Sequence, residues 1–128
     1  MLLVLFAHLA FLHMQAGNIA TAEKEYQLLF ATTQDYQYLN DIAAMYLRSE
    51  NLSKTKVIIE QALQNPTSNE TKHLSYKILA QLHALQKNYQ SANAALQQIP
   101  TSSPYFEQTK RIVDGIEENT TKKEFNQI

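Results

Sequence analysis

The chain has 128 residues, a formal net charge of −1 with acids and bases interspersed, and no cysteine. That length suits one domain burying roughly two-thirds of its unfolded surface. The balanced charge argues against nucleic acid as a partner, and the absence of thiols excludes disulfide frameworks and thiolate metal sites. Two glycines and three prolines stand against abundant Ala, Leu, Gln, Glu and Lys, and no segment sustains the two-residue alternation of a strand. The expected fold class is all-α, with about seven helices.

The first helix is expected over 3–15, within "MLLVLFAHLAFLHMQAG". Its apolar residues surround it almost completely, and a helix apolar all round expects burial on all sides. The segment resembles a secretory signal. It has no Lys or Arg ahead of the apolar run, however, and it is too short and too interrupted to span a membrane. Helices are then expected over 19–31, 36–48, 52–64, 70–86 and 89–99. Thr67 with Glu70 has the spacing of a capping box for the fifth. A seventh helix opens at Pro104 after Ser103, its apolar side formed by Tyr105, Phe106, Ile112, Val113 and Ile116, and the polar tail 119–128 is expected to fray.

The same pattern occurs three times. "NIATAEKEY" starts at Asn18, "NLSKTKVII" at Asn51 and "NYQSANAAL" at Asn88. Each has Asn, a large apolar residue (Ile19, Leu52, Tyr89), a short residue three further on (Ala22, Thr55, Ala92) and a large one four later (Tyr26, Ile59, Leu96). The segments before each Asn align too, as "FAHLAFLH", "LNDIAAMY" and "YKILAQLH", with Ala10, Ala43 and Ala80 placed where two helices approach closely. Asn at each turn suits a helix cap and tolerates left-handed backbone, while Gly17, Glu50 and Lys87 hold one equivalent place.

This arrangement resembles the tetratricopeptide repeat family, whose pattern is W-x2-L-G-x2-Y, then A-x3-F, then P, over about 34 residues. Each copy here is degenerate. None has the tryptophan, Ala replaces the first Gly, and Pro66 and Pro100 are only loosely placed. The resemblance implies antiparallel helix-turn-helix repeats over 3–34, 36–69 and 73–101, stacked as a right-handed superhelical solenoid. A capping helix over 103–118 would complete a single domain, 1–118.

The resemblance also implies a concave groove for a peptide or helical segment of a partner protein. Its positions fall on Val4, Ala7, Phe11 and Met14, then Gln37, Asn40, Ala44, Leu47 and Arg48, then Leu74, Lys77, Gln81, Ala84 and Leu85. Such a groove should prefer an apolar or amphipathic segment with one carboxylate near Arg48 and Lys77. The alternative is that Phe11 and Met14 simply pack against an adjoining helix. Where one subfamily clamps acidic chaperone C-termini with Lys, Asn and Arg, this chain carries Ala7, Phe11, Asp41, Leu74 and Ile78, so that function is not expected.

No enzyme is expected, and no cofactor or metal. His13 and His83 share the repeat position of Tyr46, a packing slot, and have no carboxylate or cysteine partners in the pattern; His8 and His73 lie on other faces. No phosphate-cradling glycine loop or nucleophile motif occurs. The triplets at Asn51, Asn69 and Asn119 fit N-glycosylation only if the chain is secreted. Cleavage near Ala16 would remove the first helix of repeat 1, so the expected compartment is cytoplasmic, with a secreted or periplasmic form the alternative. The unusual first helix leaves three explanations: self-association as a homodimer, a missing upstream neighbour, or a membrane-targeting segment.

Overall fold

A computed structural model describes residues 2–64 and 68–126. Seven helices and no strand occur among the described residues: α1 (Leu2–Gln15), α2 (Ile19–Thr33), α3 (Gln37–Arg48), α4 (Leu52–Gln64), α5 (Asn69–Leu85), α6 (Tyr89–Leu96) and α7 (Pro104–Asn126). No described helix is long and apolar enough to cross a membrane. The contacts divide the chain into two units, Met1–Thr71 and Lys72–Ile128.

Three turns repeat with the same hydrogen bonds. At the ends of α1, α3 and α5, the amides of Asn18, Asn51 and Asn88 donate to the carbonyls of His13, Tyr46 and His83, each at 2.9 Å. The amides of Gly17, Glu50 and Lys87 donate to Met14, Leu47 and Ala84 at 3.1, 3.1 and 3.0 Å. This paired closure terminates a helix through one left-handed residue. Gly17, Glu50 and Lys87 accordingly have φ of 85°, 62° and 63°. The left-handed residue is therefore the one before each Asn. Asn18 and Asn88 themselves have φ of −83° and −97°. Side-chain capping occurs at two of the three turns: Asn51 accepts from the Lys54 amide at 3.3 Å and Asn88 from the Ser91 amide at 3.2 Å, while Asn18 makes no such bond.

The small residues are where close approach requires them. Ala10, Ala43 and Ala80, and Ala22, Thr55 and Ala92, are all fully buried. The large residues Tyr26, Ile59 and Leu96 are buried too. In the first unit, α2 packs on α1 and α3, and α3 on α4. Tyr26 lies 6.4 Å from Tyr38, and Phe30 meets Tyr36 edge-on at 4.9 Å, joining α2 to α3 and to the residue ahead of it. Asp35 starts α3 by accepting from the Gln37 amide at 2.9 Å.

In the second unit, Ala80 and Ala84 of α5, Ala92 and Ala95 of α6 and Val113 of α7 form one cluster, flanked by Tyr76, Leu79, Tyr89 and Ile116. α6 stops at Leu96, and its last turn tightens through Ile99, whose amide donates to the Leu96 carbonyl.

Thr67, the expected cap of the fifth helix, and Pro66 lie outside the described residues; among those described, Ser68 accepts from the Thr71 amide at 3.1 Å. Other expectations need correction. On α7, Val113 is buried and Ile116 half-buried, but Ile112 is exposed. Thr109 takes the inner place, returning its hydroxyl to the Tyr105 carbonyl at 2.6 Å. The polar residues 119–126 continue α7 as helix. The Lys122–Glu118 pair at 3.1 Å and the Lys87–Glu124 pair at 3.4 Å support that extension. α1 is not enclosed on all sides: Ala10 is its one buried residue among those described.

Candidate functional site

The first unit holds a pocket of about 220 Å³ beside the first turn, lined by Phe11, Met14, Ile19, Met45, Arg48 and Ser49, with Gln15. α1 supplies Phe11 and Met14 three residues apart, so both lie on one side of that helix. α3 supplies a polar stripe. Gln37, Asp41, Ala44 and Arg48 are spaced four, three and four residues apart, which aligns them along one face.

Arg48 occupies the last turn of α3, where the helix dipole favours a cation. Its Nε donates to the Ala44 carbonyl at 3.4 Å, and its Nη2 lies 3.7 Å from the Met14 sulfur. Among the described residues, no carboxylate lies within ion-pair distance of this guanidinium. An exposed cation thus borders a recess whose apolar side is Phe11, Met14, Ile19 and Met45 and whose polar side is Gln15 and Ser49.

Asp41 modifies the field. Burial pushes its carboxyl above the ordinary aspartate value and Asp35 adds to that, whereas the hydrogen bond from Gln37 Nε2 at 3.2 Å and the charge of Arg48 oppose it. Burial and the nearby Asp41 also push the Tyr26 phenol up to about 12, and burial raises that of Tyr38. Both phenols are therefore neutral hydrogen-bonding groups at physiological pH.

Of the residues expected in the groove, Phe11, Met14 and Arg48 meet at this pocket. Val4 is exposed, whereas Ala7, Gln37, Ala44 and Leu47 are half-buried. Asn40 is a correction. Its side chain is fully buried and its Nδ2 donates to the Thr71 carbonyl at 3.0 Å, so it fastens α3 to the start of α5 rather than facing a ligand.

The remaining positions belong to the second unit. Leu74 and Gln81 are half-buried and Leu85 is exposed. Lys77 is engaged, with its ammonium 3.2 Å from Gln108 Oε1 and 5.6 Å from the Tyr105 ring centre. Ala84 is a second correction, being fully buried in the alanine cluster because α6 and α7 close over it. The expected groove positions did not include Met45, which lines the pocket. Its place four residues after Asp41 and three before Arg48 carried that signal.

His13 is not partnerless. Its Nδ1 lies 2.8 Å from Glu25 Oε2, tying α1 to α2. The equivalent Tyr46 is buried, with Lys54 Nζ 5.1 Å from its ring centre and 3.4 Å from its hydroxyl. Lys54 also reaches Glu23 at 4.0 Å, and these residues border a separate recess of about 300 Å³ with Val57 and Ile58. Among the described residues, no group of three or more His, Asp or Glu is placed to hold a metal ion. Compared with protein-family models, curated proteins and solved structures, the chain has no match.

Proposed function

We propose that the chain is a non-catalytic protein-interaction module of the tetratricopeptide-like kind, its repeats stacked as that resemblance implies. Its partner is an apolar or amphipathic peptide segment bearing one carboxylate. The observation that carries the reading is Arg48: an exposed guanidinium with no carboxylate within ion-pair distance among the described residues, beside Phe11 and Met14 in a recess of mixed polar and apolar lining. A carboxylate placed there gains a charge-assisted, two-pronged hydrogen bond, and an adjacent apolar side chain fills the recess. The repeated turns and buried small residues support the repeat reading. Recognition then falls to α1 and α3, which present their side chains on rigid helices.

Selection of peptides from a displayed random library against the wild-type chain tests this directly. Enriched sequences should place Asp, Glu or a free C-terminus beside one or two large apolar residues. Arg48→Glu should shift the enriched charge to Lys or Arg, and Phe11→Glu with Leu47→Glu should abolish binding while helical content is retained. Peptides without a carboxylate preference, or unaffected by Arg48→Glu, would refute the assignment.

A further inference from the structure

A second surface, separate from the Arg48 pocket, lies on the outer side of the α1–α2 hairpin. α1 contains no Asp, Glu, Lys or Arg. Leu2, Leu5, Phe6, Leu9 and Leu12 occupy adjoining sectors of α1, with Phe6 one turn ahead of buried Ala10 and Leu5, Leu9 and Leu12 farthest round from it, and Leu28 extends the face onto α2. Each of the six is 40–71% exposed. Together they present on the order of 600 Å² of surface, at the upper end of the largest patch of a typical monomer and approaching the amount each partner contributes to a standard interface. Beside them is a cavity of about 410 Å³, lined by Leu2, Leu3 and Phe6 of α1 and by Glu25, Leu28, Leu29 and Thr32 of α2.

Two features select a second copy of this chain as the occupant. A helix without formal charge meets its own two-fold image with no like-charge opposition, whereas discrimination among different proteins draws on complementary charges that this helix lacks. The cavity and the projecting side chains are also offset along α1. The cavity lies at Leu2–Phe6, and Leu9 and Leu12 come one to two turns later. Antiparallel pairing about a two-fold axis near Leu5 and Leu9 sets Leu12 of each copy over the cavity of the other. Both cavities are then filled and the assembly closes at two. We infer that the chain forms a symmetric homodimer through this face, burying an interface of standard size.

Sedimentation of the full 128-residue chain across a concentration series up to about 100 μM is the test, since an interface of this size supports micromolar or tighter association. The expected mass is twice the 14.7 kDa of one chain. Leu5→Lys with Leu9→Lys should weaken dimerisation by about 100-fold or more with helical content unchanged, because both side chains are exposed. The chain has no cysteine, so Leu9→Cys provides an independent reading. On oxidation it should give a covalent dimer, and the exposed control Glu60→Cys on α4 should not. A monomer at the highest concentration overturns the inference. So does a dimer indifferent to the double lysine variant, or equal cross-linking of the two cysteine variants. A monomer that instead adsorbs to phosphatidylcholine vesicles through these leucines also overturns it, and gives the face to lipid.

Discussion

Glu50→Gly should stabilise the chain although it removes a charged side chain and adds no contact. Glu50 holds the left-handed position of the turn between α3 and α4 at φ 62°, and its side chain is exposed. An L-residue in that region carries roughly 1–2 kcal/mol of steric cost that glycine avoids. Glycine returns about 0.5–1 kcal/mol of this through its greater freedom in the unfolded chain. The expected net gain is therefore about 0.5–1 kcal/mol. Gly17 occupies the same position at φ 85°, and a methyl group built there meets nothing within 4 Å. Gly17→Ala should accordingly lose about 1 kcal/mol for backbone reasons alone. Urea unfolding monitored by circular dichroism measures both, and the midpoint should move by a few tenths of a molar in opposite directions at constant slope. Lys87→Gly should gain less, because it gives up the Lys87–Glu124 pair, an exposed one that contributes little. A lower midpoint for Glu50→Gly, or an unchanged one for Gly17→Ala, would show that the three turns are not equivalent in energy.

Tyr46→Ala should cost about 3 kcal/mol or more in the same assay, since the ring is buried between its own helix and Lys54. Tyr46→Phe should cost less than about 1 kcal/mol, because only a long contact from Lys54 to the hydroxyl is lost. A near-zero loss for the alanine variant would show that the ring is not core. Asp41 supplies a pH test. Burial raises its folded-state pKa above the unfolded value, so the native form binds the extra proton and stability falls as pH rises from the unfolded to the folded value. Asp41→Asn should therefore raise Tm at pH 7 and lose that advantage below the ordinary aspartate pKa of about 3.9. An advantage equal at both pH values would mean that the carboxyl is not desolvated.

The helices and their inner faces were legible because the same residue sizes recur three times: a small residue must lie wherever two backbones approach, and Ala10, Ala43 and Ala80 do. The ends of elements were less legible. Local hydrogen bonds decide them, as where the Ser68 hydroxyl accepts from the Thr71 amide, and where spaced ion pairs carry α7 on to Asn126. Site residues were legible only as far as helical spacing allows. Spacing places Asn40 and Ala44 on neighbouring sectors of α3, yet it cannot reveal that a carbonyl 31 residues further on claims Asn40. Periodicity likewise identified α1 as apolar all round, but it could not place the cavity beside Leu2–Phe6, which depends on how α2 packs against that helix.

The bond from Asn40 to the Thr71 carbonyl bears on length. The second interval between turns is four residues longer than the first, the difference lying in the polar stretch 64–70. Because Asn40 grips the backbone after that stretch, the chain re-enters at a point set from α3 and not by the number of residues spent on the way. Asn40 is thus a clip that holds the first turn of α5 to α3 whatever the length of the segment ahead of Ser68.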